Sequence, residues 1–171
     1  MAIKPALAEA INDQIRAEFQ SAYLYLQMSA WFTEQNLPGF AHWMRTQWQE
    51  ETLHAMKLYD FVHQRGGAIV LGGIDAPVGS YANPLSVFEK VREHELMITD
   101  RINALYERAL TEKDLPLQIV LQWFINEQVE EESQVMEIID RLKLIGSDGP
   151  SIYLFDRQLA TRPAATAGEG A

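Results

Sequence analysis

No cysteine occurs in the chain, which excludes disulfide frameworks, thiolate zinc sites and iron–sulfur clusters. Any metal must therefore be held by oxygen and imidazole nitrogen. Basic charge is also scarce: 14 Lys and Arg face 24 Asp and Glu, for a formal charge of −10. No Lys/Arg cluster supplies the positive footprint that a nucleic acid needs, so no nucleic-acid partner is expected. Long apolar runs are missing as well. Nothing approaches the roughly 18–20 apolar residues that cross a bilayer, and no membrane partner is expected. The opening MAIKPALAEAINDQ has no signal-peptide core, which makes the cytoplasm the expected location. Sustained strand alternation is absent too.

What the chain does have is 47% apolar content over 171 residues, enough for one domain with one sizeable core. Helix formers fill four stretches of roughly 25–30 residues, lengths that suit a bundle. The first helix is expected from Leu7 to Gln35, with Leu7, Ile11, Ile15, Ala22 and Phe32 at helical spacing. Asn36-Leu37-Pro38-Gly39 breaks it, and Pro38 suits the first turn of a second helix that runs to Arg65. Asn83-Pro84 caps a third, running to Leu110, and Asp114 caps a fourth, running to Ile145 with Pro116 in its first turn. Residues 151–162 are expected to form one short further helix, and 163–171 a flexible tail beyond a domain of 1–162.

The one long connection, 66–83, carries five glycines and one proline. Eighteen extended residues reach roughly 55 Å, more than the ~42 Å of a 28-residue helix. The segment can therefore run back along the bundle as a strap, making helices two and three parallel. The expected fold is all-α: a four-helix bundle with one long crossover between helices two and three, and a short fifth helix.

Acids interrupt the apolar stripes. The inward series reads Ile11, Ile15, Glu18, Ala22, Tyr25 on helix one and Met44, Trp48, Glu51, His54/Ala55, Leu58 on helix two. It reads Phe88, Val91, Glu95, Ile98, Ile102 on helix three and Val120, Phe124, Glu127, Glu131, Val135, Ile138 on helix four. A lone acid on such a stripe is often one that snorkels to water. Four are harder to dismiss, because a buried carboxylate costs several kcal/mol unless matched by charge or metal. Their distances from the helix turns place Glu18, Glu51, Glu95 and Glu131 within about 5 Å of one level. Glu51 and His54 form an E-x-x-H, whose spacing aims acid and imidazole at one centre. Carboxylates with a single imidazole suit iron or manganese. Glu18, Glu51 and His54 are assigned to one metal, and Glu51 bridges to a second held by Glu95 and Glu131.

A weaker third position is formed by Glu50, Glu127 and Glu130, against the alternative of a solvated acidic run, which is the reading adopted for Glu132. Gln128 either approaches the second metal or hydrogen-bonds to a ligand. Tyr25 is placed either to bond a ligand carboxylate, to supply an electron, or simply to fill the core; Trp123 has the same redox or packing alternatives. His42, His63 and His94 have no evident partner.

These pieces resemble the ferritins, and more closely their bacterial non-haem type, over about residues 5–162. The resemblance rests on Glu18 with Tyr25, NLPGFAHWM at 36–44, QEETLH at 49–54, Glu95, and QWFINEQVEEE at 122–132. It implies a ferroxidase-active subunit that oxidises Fe(II) with dioxygen or peroxide at a dinuclear non-haem iron site. It also implies a third iron site at Glu50, Glu127, Glu130 and Glu131, and a homo-oligomeric cage of 24 subunits storing ferric mineral. The haem-binding relatives carry a second E-x-x-H on helix four and a methionine after the bridging acid. Here Glu130 and Gln134 stand where that histidine would fall, and Thr52 follows Glu51, so no haem is expected. The rival readings are a diiron oxygenase or peroxidase on the same bundle, and a helical scaffold whose acids face solvent.

Overall fold

The computed structural model describes residues 2–165; the remaining tail, 166–171, lies outside the described residues. Five helices account for most of it: α1 Pro5–Glu34, α2 Pro38–Gln64, α3 Pro84–Thr111, α4 Leu115–Ile145 and α5 Gly149–Leu159. Each agrees with its sequence expectation to within three residues at either end, and no strand occurs among the described residues. Every one begins with proline at its first or second position, where the missing N–H has no partner to lose. Asn83 and Ser86 form a capping box on α3, and Asp114 and Asp148 cap α4 and α5 by accepting from Leu117 N and Ser151 N.

The hairpins α1–α2 and α3–α4 turn at Asn36 and Lys113, both with positive φ (58° and 55°). Residues 66–83 form the strap, without regular structure. Asn12 holds it at both ends of one amide, donating to the Ala68 carbonyl (2.8 Å) and accepting from Val70 N (3.2 Å). Two turns further on, Gln20 repeats the arrangement on the carbonyl and N–H of Asp75. The strap therefore ascends in the same direction as α1. It returns the chain to the starting end of α2, and α2 and α3 are parallel, as its length suggested.

The core is divided. Ile3, Leu7, Ile11, Ile15, Leu58, Ile98, Ile102, Leu117, Leu121 and Phe124 belong to one buried cluster. Met28, Phe32, Phe40, Trp43, Met44, Phe88, Val91, Val135 and Leu142 belong to another, which also receives Phe155 and Leu159 of α5. On every helix of the bundle the acid of the stripe falls between the two.

The first turn of α2 has no side-chain cap of its own. Asp156, buried in α5, supplies it from a distance: Oδ1 accepts from Phe40 N at 2.9 Å. This is a favourable place for a carboxylate, at the positive end of a helix dipole. It requires close approach, and Gly39 permits it, since a Cβ there would lie 1.6 Å from the Asp156 carbonyl oxygen. Gly39→Ala should thus push α5 off α2 at a cost of about 1–3 kcal/mol. The expected result is a lowered melting temperature and faster proteolysis near residues 146–149, with the four-helix signal in circular dichroism retained.

Candidate metal centre

Glu18, Glu51, Glu95 and Glu131, one from each long helix, are all buried, with 1–4% of their surface exposed. His54 is buried beside them, and single ligand atoms of Glu18, Glu51 and His54 all lie within 4.8 Å of one another. The i,i+3 spacing has its expected effect: His54 Nδ1 is 3.5 Å from Glu51 Oε2. The His54 ring stands edge-on to Trp123 and Phe124, at 5.3 and 5.7 Å between centroids.

The hydrogen bonds to the acids come from neutral groups. Gln14 donates to Glu18 (2.9 Å), Gln47 to Glu131 (2.7 Å) and Gln128 to Glu95 (3.2 Å); the Tyr25 hydroxyl donates to Glu95. Gln14 is fixed in turn by Arg101, whose Nε donates to it at 3.1 Å. Two buried oxygens, Glu18 Oε2 and Gln47 Oε1, have no hydrogen-bond partner.

Burial and mutual repulsion make these acids reluctant to ionise. Burial pushes Glu18 up to about 7, and the nearby Glu95 adds to the rise against the Gln14 hydrogen bond. Glu131 rises to about 8, again through burial first and Glu95 second. Glu51 stands well above the ordinary carboxylate value because it is buried among Glu95, Glu18 and Glu131. Glu95 is raised by burial, opposed by the Tyr25 and Gln128 bonds. His54 moves the other way: burial, then the Lys57 charge, lower it to about 4, so the ring is neutral and one of its nitrogens keeps a free lone pair at neutral pH. A centre with surplus acid, a neutral imidazole and an orphaned inward oxygen fits cations that displace the protons.

A second acidic layer opens outward. Glu50, Glu127, Glu130, Glu131 and His54 line one cleft of about 530 Å³, together with Lys57, Trp123 and Arg162. The four acids expected at a third position thus share one cavity. Glu50 is not free there, because Arg162 Nη2 donates to its Oε2 at 2.7 Å, an ion pair the sequence reading missed.

Several expectations need correction. Helix four turns slightly further than its drawn stripe: Leu121 and Gln128 are buried, whereas Val120 and Glu127 are half-buried, so Glu127 belongs to the cleft and not to the core. On α2 the core position falls on Gln47, with Trp48 half-buried. Glu132 is not simply solvated; it is half-buried and accepts from Thr99 Oγ1 at 2.6 Å. Gln128 hydrogen-bonds to Glu95, one of its two anticipated roles. His94 and His42 do have partners, Ser21 Oγ at 2.7 Å and the Arg162 carbonyl at 2.8 Å. Gln14 and Gln47 were absent from the sequence reading; Gln14 sits one turn before the acid it bonds, Glu18, whereas Gln47 reaches across to Glu131 on α4.

A model of the ferritin-like domain matches residues 8–145, the span that contains every acid of the centre. The chain belongs to the ferritin family. It is 42% identical over 160 residues to the bacterial non-heme ferritin of Bacteroides fragilis, covering 94% of this chain and 99% of the relative. To the bacterial non-heme ferritin of Escherichia coli it is 36% identical over 159 residues, covering 93% and 96%. Among solved structures, the open pore ferritin of the hyperthermophilic archaeon Archaeoglobus fulgidus superposes with a TM-score of 0.93 at 46% identity, covering 94% of this chain and 98% of that one. A closed form of the same archaeal ferritin, engineered by site-directed mutagenesis, gives 0.94 at 45% identity, covering 96% and 100%. Family membership and the bundle agree with the sequence reading, and no helix among the described residues is long and apolar enough to cross a membrane.

A pH dependence follows from the raised acids. The folded metal-free chain holds protons that the unfolded chain releases above about 4.5, so folding binds protons and stability falls as pH rises through that window. Melting of the metal-free chain should therefore drop between pH 5 and 8. Zn²⁺ should restore it and release protons in weakly buffered calorimetry, and Glu18→Gln should flatten the decline.

Proposed function

We propose that the chain is an iron-storage subunit with ferroxidase activity. Two ferrous ions are its substrates at the intra-bundle centre, Glu18, Glu51 and His54 holding one, and Glu51, Glu95 and Glu131 the other. The observation that carries this is the meeting of Glu18, Glu51 and His54, with ligand atoms within 4.8 Å of one another, beside the buried and repelling Glu95 and Glu131, with Glu18 Oε2 unpartnered. The family to which the chain belongs, and the names of its relatives, support the same reading.

Two ferrous ions held side by side each give one electron to dioxygen, which takes two protons and leaves as hydrogen peroxide, while both irons become ferric. The residues contribute charge and position. Deprotonated carboxylates favour the harder, more highly charged ferric product over the ferrous substrate. Tyr25 keeps Glu95 in one orientation, and Gln14 and Gln47 do the same for Glu18 and Glu131, so these three acids are aimed before a cation arrives. Glu50, Glu127 and Glu130 offer a weaker resting place on the way out. The cleft that reaches His54 and Glu131 carries Glu50, Asp60, Glu127, Glu130 and Glu131 on its lining, a density of acid that suits a cation.

Storage requires an enclosed space, and we propose a homo-oligomeric, cytoplasmic cage of 24 chains with α5 at the cage axes. Ferrous iron added without oxygen, then exposed to air, should show rapid oxidation of about two irons per chain. Glu51→Ala and His54→Ala should each slow that fast phase by ~100-fold or more. If both variants keep it, the assignment of these ligands is wrong. Size-exclusion chromatography should place the assembly near 24 times the 19.5 kDa chain.

A further inference from the structure

The outer cleft already holds a cation of the chain's own. Arg162, three residues beyond the end of α5, pairs with Glu50 at 2.7 Å, and its side chain is only 15% exposed. The same guanidinium lies 4.6 Å from the Trp43 ring centroid and donates at 3.4 Å to both the Trp43 carbonyl and Gln134 Oε1. His42 accordingly donates to the Arg162 carbonyl, fixing the backbone from which the side chain departs. The segment is delivered here because Asp156 and Gly39 lock α5 onto the start of α2. Lys57, the other basic side chain lining the cleft, stands over the Trp123 ring at 4.1 Å.

We propose that Arg162 is a resident counter-ion of the outer carboxylates, and that a third cation binds by displacing its guanidinium from Glu50. This rests on the centre proposed above. A divalent ion and a guanidinium repel at the distance of one carboxylate, so Glu50 serves one or the other. The displaced group has somewhere to go: Trp43, through its ring and carbonyl, and Gln134 hold it when Glu50 lets go. Its cation–π seat keeps it near, so it returns as the ion leaves. The C-terminal segment thereby weakens the outer position on purpose of release, keeping it a place of passage while the inner pair stays tight.

Calorimetric titration of the assembled protein with Zn²⁺, a redox-silent probe, tests this in wild type, R162Q, R162K and E50Q. The wild type should show a tight pair of ions per chain and a weaker third. R162Q should tighten the third event about tenfold, or reveal one where the wild type shows none, with the tight pair shifted by less than twofold; R162K should fall between. In the E50Q background the third event should weaken and R162Q should become silent, because the competition has no object. An unchanged or weaker third event in R162Q overturns the displacement idea while leaving the inner centre standing, as does a third event in no variant. A wild type without the tight pair overturns the inner centre as well. Circular dichroism and chromatographic size, measured on each variant, separate lost docking of α5 from lost competition.

Discussion

Everything in this bundle is arranged around carboxylates that cannot comfortably share one dry layer. Left ionised they repel, and left protonated they still bury polar atoms without enough partners. The chain does not solve this with its own positive charge. Around the inner acids it places glutamine amides and a tyrosine hydroxyl, groups that orient an oxygen without neutralising it. An arginine at position 14 or 47 would satisfy the acids permanently and leave nothing for a metal to do. The deficit of positive charge is thus a designed property of the layer, and iron is what fills it. Positive charge stands one step outward, where Arg101 holds Gln14 and where Arg162 meets Glu50.

The fold serves that layer through its connections. Four helices can bring four acids to one height only if the two hairpins are set in register, and the strap does this by following α1 from one end to the other. The amides of Asn12 and Gln20 grip its backbone at two points, so its path is specified by hydrogen bonds and not merely by length. Asp156 does a similar task for α5, joining it to the first turn of α2 through a contact that only glycine allows.

Much of this was legible in the sequence because period and chemistry conflicted at four places. An acid at an apolar position costs too much to be casual, and Glu18, Glu51, Glu95 and Glu131 are all buried where the stripes put them. The turns were equally readable from Asn83, Asp114 and the prolines. On helix four, however, Glu127 and Gln128 are neighbours about 100° apart, and a stripe drawn with two acids tilts toward the wrong one. The amides of Gln14 and Gln47 carry no charge, so nothing in their type marks them as buried. The Arg162–Glu50 pair spans 112 positions and depends on where α5 docks, a relation that periodicity does not encode. His94 and His42 escaped for the same reason: their partners, Ser21 and a backbone carbonyl, lie on other elements.

The division of the core into two apolar clusters has a mechanical consequence. Each cluster packs its own half of the four helices, so the integrity of the bundle does not hang on the polar waist between them. Side chains at that waist can change partners, from proton to ferrous to ferric ion, while both halves stay closed. Repeated turnover then becomes a matter of local carboxylate swings, and the scaffold is spared the breathing that a single continuous core would have to undergo each time.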